Sequence, residues 1–263
     1  MARLEIVGGG RMGEALVGGL LAAGWAPAAE VRVVEPRAER RLELADRFPG
    51  LDVAEAPAGA DGVVLAVKPG EVAAVAAGLD PAAGTRVLSI AAGVTVATLE
   101  AALPPGTPVV RAMPNTPALV GAGASAIAPG TSAGPEDLDW AEGVLAAVGL
   151  VVRVTEAQLD AVTGVSGSGP AYLFLLAEAM VEAGVREGLP RDVATALAGQ
   201  TVLGAGRLLV EGDEDAAGLR AAVTSPGGTT AAALAELERG GVRASVLDAV
   251  RAASERARQL GQG

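Results

Sequence analysis

Near the start of the chain, Gly8-Gly9-Gly10-Arg11-Met12-Gly13 spaces three glycines as G-x-G-x-x-G between a short apolar run, Leu4–Val7, and a helical pattern, Glu14–Ala23. That spacing suits a pyrophosphate. Gly8 permits a tight turn, Gly10 lets the backbone approach the anion, Gly13 lets helix and strand pack closely, and the helix N-terminus attracts negative charge. Glu35 follows the first motif by about 20 residues and ends the second apolar run, where a carboxylate accepts the ribose hydroxyls of NAD and repels the 2′-phosphate of NADP. Arg37, Arg40 and Arg41 pull the other way: one of them can pair with that phosphate, or all three can form a solvated helix face. The expected cofactor is NADH or NADPH, with the lean towards NADH.

Three later segments carry further candidates. Lys68, the sole lysine, ends the run Val63–Val67 ahead of Pro69, at the kind of strand end where parallel sheets bind ligands; otherwise it is a surface lysine that starts a helix. Asn115, the sole asparagine, sits in Arg111–Pro117 between Pro114 and Pro117, which make either a rigid loop presenting an amide and a hydroxyl or a stiff turn closed by an Asx hydrogen bond. Val223–Thr230 is a Gly-rich turn entering a helix; its N–H groups form a cradle for carboxylate or phosphate, unless the segment is an ordinary Ser/Thr helix start. Between these, the small residues of Asp160–Tyr172 suit a cleft lining, with Ser168 or Gly169 as a helix cap and Pro170 at the first helical position.

The elements that must position these residues fall into two groups. Strands are expected at Leu4–Val7, Val31–Glu35, Gly62–Val67, Arg86–Ala91, Val109–Met113, Ser125–Ala128 and Leu150–Val154, with helices such as Glu14–Ala23 and Glu136–Val148 between them. This alternation predicts an α/β fold, a doubly wound, Rossmann-type sheet over residues 1–155. Beyond it only helical patterns remain, at Ala171–Glu187, Asp192–Val210, Ala216–Val223, Thr230–Glu238 and Ala244–Leu260, an all-α domain over residues 156–263. The first of these is apolar nearly all round and must be buried on most of its surface, which points to a core shared with a second copy.

Composition narrows the chemistry. Among 263 residues there is no cysteine, so disulfides, thiolate metal sites and cysteine nucleophiles are excluded, and a reducing cytoplasm is the expected compartment. There is no histidine either, which removes the commonest general base and metal ligand; no metal site is expected. A net charge of −11 argues against a nucleic-acid partner and for small molecules. Much of the hydrophobic content is alanine, and no apolar run approaches the ~18 residues of a membrane span, so no membrane association is expected.

Taken together, Ile6–Gly13, Val67-Lys68-Pro69, Met113–Pro117, Ser166–Pro170 and Ser225–Thr230 resemble, in order and spacing over nearly the whole chain, the pyrroline-5-carboxylate reductase family. The Gly-Gly-x-Thr core of the last segment is the most specific part; the first is shared by many dinucleotide enzymes. The resemblance implies NAD(P)H-dependent reduction of 1-pyrroline-5-carboxylate to L-proline. It further implies a cofactor site lined by Gly8, Gly10, Arg11, Met12 and Gly13 and by Val67, Lys68, Pro69, Met113, Pro114 and Asn115, joined by Glu35 and Arg37. Ser225, Gly228 and Thr229 correspond to the loop that binds the substrate carboxylate, and Thr230 to the catalytic threonine that hydrogen-bonds the ring nitrogen. Members are similar in forming homodimers through the helical domain, assembled further into rings such as a decamer of five dimers. One departure bears on cofactor choice: many NADP-using members have a small polar residue followed by Arg after the second strand, where this chain has Glu35-Pro36-Arg37. A 3-hydroxyacid dehydrogenase shares the two-domain plan, but those enzymes resemble one another in an interdomain lysine, and this chain has none beyond Lys68. A non-catalytic dinucleotide sensor would lack the Ser225–Thr230 cradle.

Overall fold

The structure, a computed structural model, describes residues 2–82 and 84–261, so the last two residues of the expected helical domain lie outside the described residues. Runs rich in valine, leucine and isoleucine form β1 (Ala2–Val7), β2 (Val31–Val34), β3 (Asp52–Ala54), β4 (Ala60–Leu65), β5 (Arg86–Ser89), β6 (Val109–Met113), β7 (Gly123–Pro129) and β8 (Gly149–Arg153). Between them lie α1 (Arg11–Ala22), α2 (Ala38–Arg47), α3 (Pro69–Ala77), α4 (Val96–Ala102) and α5 (Pro135–Ala146). The eight strands form one sheet in the order β3-β2-β1-β4-β5-β6-β7-β8. All neighbours are parallel except β6 and β7, which pair antiparallel with Val110 opposite Pro129.

Both faces of the central strands are buried, as parallel strands require. On one face Leu4, Ile6, Val33 and Leu88 pack with Leu16, Val17 and Leu20 of α1 and Val144 and Leu145 of α5. On the other, Val7, Val63, Leu65, Val87 and Val109 pack with Val72 and Ala76 of α3 and Leu99 of α4. Each such buried side chain contributes about 1.5–3 kcal/mol relative to exposure.

The expected α/β class is observed, with three differences of detail. β3 was not anticipated, because three residues beginning with Asp carry almost no strand signal. The sheet is not wholly parallel: residues 114–122 are fewer than the dozen or so that a parallel crossover needs, so β7 returns beside β6 in the opposite sense. α1 begins at Arg11 and not Glu14, which puts Gly13 inside its first turn.

After β8, only helical elements occur among the described residues: α6 (Leu159–Val162), a π turn (Thr163–Gly167), α7 (Gly169–Arg186), α8 (Arg191–Glu211), α9 (Ala216–Ala222), α10 (Thr229–Arg239) and α11 (Val242–Leu260). The chain divides into two compact units, one comprising residues 1–168 with 251–263 and the other residues 169–250. Ser168 has helical backbone angles and donates its N–H to Thr163 O at 2.8 Å, so it closes the π turn instead of capping α7. Within one chain no residue of α7 is buried: Leu173, Phe174, Leu175 and Leu176 are all substantially exposed. α8 is long and apolar enough, by length and composition alone, to cross a membrane, although Asp192, Gln200 and Arg207 interrupt any continuous apolar run.

The packing around β4 gives a stability test. A Cβ placed on Gly62 would lie 2.3 Å from the Trp140 ring of α5. Gly62→Ala should therefore destabilise the fold by about 1–3 kcal/mol in urea unfolding; parental stability would mean that Trp140 moves aside freely.

Candidate cofactor and substrate site

β1 and β4 are neighbours, yet the chain leaves β1 towards β2 and leaves β4 towards β5. The carboxyl ends of the strands open a crevice at such a switch point. Their ends are stitched together: Gly8 N–H donates to Val34 O (2.9 Å), Ala66 N–H to Val7 O (2.8 Å) and Ile90 N–H to Leu65 O (3.2 Å). The structure thus brings Gly8–Gly13, Glu35, Val67–Pro69 and Met113 to one edge of the sheet, because each ends or directly follows a strand of β1, β2, β4 or β6.

The glycines of the first turn have distinct surroundings. Gly8 has φ +115°, and a Cβ there would sit 2.6 Å from Ala66 O, a backbone atom that cannot retreat. A Cβ on Gly13 would lie 2.0 Å from Gly8 O, so α1 packs directly against its own entry loop. Nothing comes within 4 Å of a Cβ built on Gly10, which leaves that side of the loop open. Gly10 caps α1 with no side-chain hydrogen bond, and the first helical bond runs from Glu14 N–H to Gly10 O (2.9 Å). The N–H groups of Arg11, Met12 and Gly13 therefore have no intrahelical acceptor, the condition that favours an anion. Arg11 is exposed and Met12 half-buried. Gly9, not singled out by the spacing, is also confined: a Cβ there would meet Leu44 at 2.7 Å and Glu35 at 3.1 Å.

Glu35 is buried and already engaged. Arg37 Nε donates to its Oε1 at 2.9 Å, Arg37 N–H to the same oxygen at 3.1 Å, and Arg37 Nη2 to Oε2 at 3.3 Å. Burial pulls the carboxyl pKa up, but the Arg37 side-chain and backbone hydrogen bonds and its charge, with a contribution from the Gly9 backbone, outweigh it and hold the group below its ordinary value. The other two arginines are structural. Arg40 Nε donates to Gly9 O (2.8 Å) while its head pairs with Glu14 and Glu43; Arg41 NH1 donates to Glu35 O (2.9 Å) and Pro36 O (2.7 Å). Only Arg37, 68% exposed, keeps a guanidinium at the surface beside Glu35.

Lys68 is exposed at the N-terminal end of α3, with Pro69 in the first helical position. Asn115 turns inward: its Nδ2 donates to Ser166 O (3.0 Å) and its Oδ1 accepts from Ala124 N–H (2.8 Å), so the side chain ties β7 and the π turn to the loop after β6 and is not presented to a ligand. Pro114 is buried beside it, and Met113 packs near Gly167. The loop after β5, Ile90–Thr95, reaches the same edge with Gly93 at φ +76°; its position behind a strand was the only signal that marked it. A groove of about 590 Å³ runs along α1, lined by Arg11, Glu14, Arg47 and Leu119 among others.

In the second unit, Ser225–Gly228 turns into α10, with Gly227 at φ +70° and Gly228 as a cap that offers no side chain. Gly228 N–H is committed to Ser225 O (3.0 Å), and Ala232 N–H begins the helical ladder on Gly228 O (3.2 Å). The N–H groups without an intrahelical acceptor are thus those of Thr229, Thr230 and Ala231, and not that of Gly228 as expected. A Cβ on Gly228 would lie 2.4 Å from Ser225 Oγ, so this glycine keeps room for the serine hydroxyl. Ser225 and Thr229 are exposed and Thr230 is half-buried.

Known proteins match nearly the whole chain. Residues 156–260 match the family model for pyrroline-5-carboxylate reductase dimerisation, and residues 3–93 match that for the NADP oxidoreductase, coenzyme F420-dependent, family. A pyrroline-5-carboxylate reductase of Mycobacterium tuberculosis is 48% identical over 287 aligned residues, covering 99% of this chain and 97% of that protein. Among solved structures, a pyrroline-5-carboxylate reductase from Coxiella burnetii superposes with a TM-score of 0.92 at 37% identity, covering 98% of each chain. A pyrroline carboxylate reductase from Plasmodium falciparum with NADP bound superposes with a TM-score of 0.84 at 28% identity, covering 99% of this chain and 98% of that one. By full-length identity, by the dimerisation segment that follows its Rossmann-type sheet, and by fold, this chain belongs to the pyrroline-5-carboxylate reductase family.

Proposed function

We propose that the protein reduces 1-pyrroline-5-carboxylate to L-proline with NAD(P)H, the activity that its relatives' names carry. The observation that supports this reading best is that two helix N-termini are built alike. Gly10 at α1 and Gly228 at α10 both cap without a side chain, so each leaves three N–H groups open to an anion. A dinucleotide pyrophosphate and an amino-acid carboxylate are the two anions of this reaction.

The residues present fit a dinucleotide: the open side of Gly10 and the N–H groups of Arg11, Met12 and Gly13 would hold the pyrophosphate, Glu35 and Arg37 the adenosine ribose, and Val67, Lys68, Pro69, Met113 and Pro114 the wall of the crevice. The bound nicotinamide supplies a hydride from C4. Asn115 acts one step back, holding the loop in shape through Ser166 and Ala124. The substrate carboxylate is held by the N–H groups of Thr229 and Thr230 with the Ser225 hydroxyl, Gly228 keeping that hydroxyl in place. The imine nitrogen takes its proton from water, the Thr230 hydroxyl would hydrogen-bond that ring nitrogen, and the C=N carbon of the resulting iminium would take the hydride. A protonated imine is already electrophilic, so alignment does most of the work, and a chain without histidine suffices. NADH is the preferred donor, because Glu35 is buried at the end of β2; NADPH is accepted when Arg37 leaves the carboxylate for the 2′-phosphate. The homo-oligomer, a ring of five dimers, works in the cytoplasm.

The reading predicts NADH oxidation that depends on pyrroline-5-carboxylate and is absent with a 3-oxoacid; NADH binding without turnover on either would replace it with a sensor. Thr230→Ala should lower kcat by about 10–100-fold with NADH affinity intact, the loss of one hydrogen bond to a charged group; unchanged kcat would remove the threonine from the mechanism.

Arg37→Ala should cost NADPH about tenfold or more in kcat/KM while NADH changes little, and an equal loss for both would show that the arginine does not discriminate. The same variant tests the ion pair. Because Glu35 has a depressed pKa, its stabilising charge is complete at neutral pH and is lost only as pH falls through and below the ordinary carboxylate range. By NMR titration its carboxyl should move up in Arg37→Ala, and an unmoved value would mean the pair is idle.

A further inference from the structure

The two edges of the sheet are finished differently. β3 spans three residues, and its first, Asp52, is tied to Arg32 Nε of β2 at 2.7 Å, so that edge is short and charged. β8 spans five residues, Gly149-Leu150-Val151-Val152-Arg153, with no proline and no charge before its end. Arg153 does not guard it, because Glu142 and Asp139 of α5 draw its guanidinium back at 2.7 and 2.6 Å. Leu150 and Val152 are 65% and 44% exposed on the face away from α5. An uncharged, apolar edge of this kind is a template for another strand, and folded proteins normally blunt it.

The backbone phase is also defined. Val148 O accepts from Gly123 N–H (2.8 Å) and Val154 N–H donates to Ile127 O (2.9 Å), so even-numbered residues spend their backbone groups on β7. Gly149, Val151 and Arg153 therefore point N–H and C=O outward, where the sheet has no further strand among the described residues.

We infer that this edge pairs antiparallel with β8 of a second copy of the chain, about a two-fold axis at Val151. A second copy is the occupant the observations favour, since the segment matching the family's dimerisation model starts at residue 156, directly after β8. Centred on Val151, the strand is complementary to itself. Val151 faces its counterpart and Gly149 faces Arg153, giving about six new hydrogen bonds, and Leu150 packs across from Val152. The two Arg153 side chains end at opposite ends of the ladder, whereas parallel pairing would set them side by side. The contact thus joins two sheets edge to edge, in addition to whatever the helices contribute.

The absence of cysteine makes the test clean. In the double variant Leu150→Cys/Val152→Cys, the two positions face each other across the axis as non-hydrogen-bonded pairs with Cα atoms ~4.5 Å apart, within disulfide reach. Oxidation of the full-length protein should give a covalent dimer in high yield. Leu150→Cys alone should not, because its counterpart is displaced by two residues, beyond ~7 Å. No cross-link from the double variant, or equal cross-linking by the single one, overturns the pairing. Val151→Pro removes an outward N–H and leaves the bonds to β7 intact. It should weaken the dimer at least tenfold by sedimentation relative to Val151→Ala, with NADH binding kept as evidence of folding; an unchanged dimer constant also overturns the proposal.

Discussion

At the end of β1 the chain must turn from strand to helix within a few residues while lying against the carbonyl of Ala66. With φ +115° and no room for a Cβ, Gly8 is the one residue type that makes this turn without strain. Everything at the carboxyl edge depends on it. The turn sets α1 so that Gly13 rests on Gly8 O, aims the N-terminus of α1 over the switch point between β1 and β4, and leaves Gly10 open. Gly9 O in turn anchors Arg40, which links the loop to Glu14 and to α2, and the Gly9 backbone lies against Glu35. A single close approach thereby fixes the loop, the helix and the acidic residue together.

The electrostatics follow from that arrangement. A chain with a net charge of −11 repels anionic ligands at long range, so affinity for them has to come from local groups. A helix N-terminus can supply it without mobile side chains, contributing about 0.3–1 kcal/mol to a nearby anion before hydrogen bonds are counted. Glu35 is the exception at this edge, a carboxylate in the crevice, and its pairing with Arg37 neutralises it. Arg37 is exposed at this pair, while Arg40 and Arg41 are bound into the loop.

Much of this was legible in the sequence because it rests on local rules. Strand runs such as Val109–Met113, the glycine spacing after β1 and the proline at the start of α5 are written in a few adjacent residues. What escaped depends on partners remote in the chain. The inward turn of Asn115 is set by Ala124 and Ser166; the commitment of Gly228 N–H is a turn bond that a cradle reading overlooks; Ser168 closes a π turn that its neighbours' composition does not announce. The reversed direction of β7 was available in the short, proline-bearing connection before it. The exposure of α7 within one chain turns an all-round apolar helix, legible as such, into evidence for a shared core, in line with the family's dimerisation segment.

The central claim is that the turn entering α10 and the turn after β1 serve one reaction, whether within one chain or between two. The most direct measurement is a crystal structure of the enzyme with oxidised dinucleotide and L-proline bound together. The account predicts the proline carboxylate on the Thr229 and Thr230 N–H groups, its nitrogen at the Thr230 hydroxyl, and the nicotinamide C4 facing the ring carbon beside that nitrogen. Proline held away from Thr229 and Thr230, or a nicotinamide that no such turn approaches in any subunit, would contradict it.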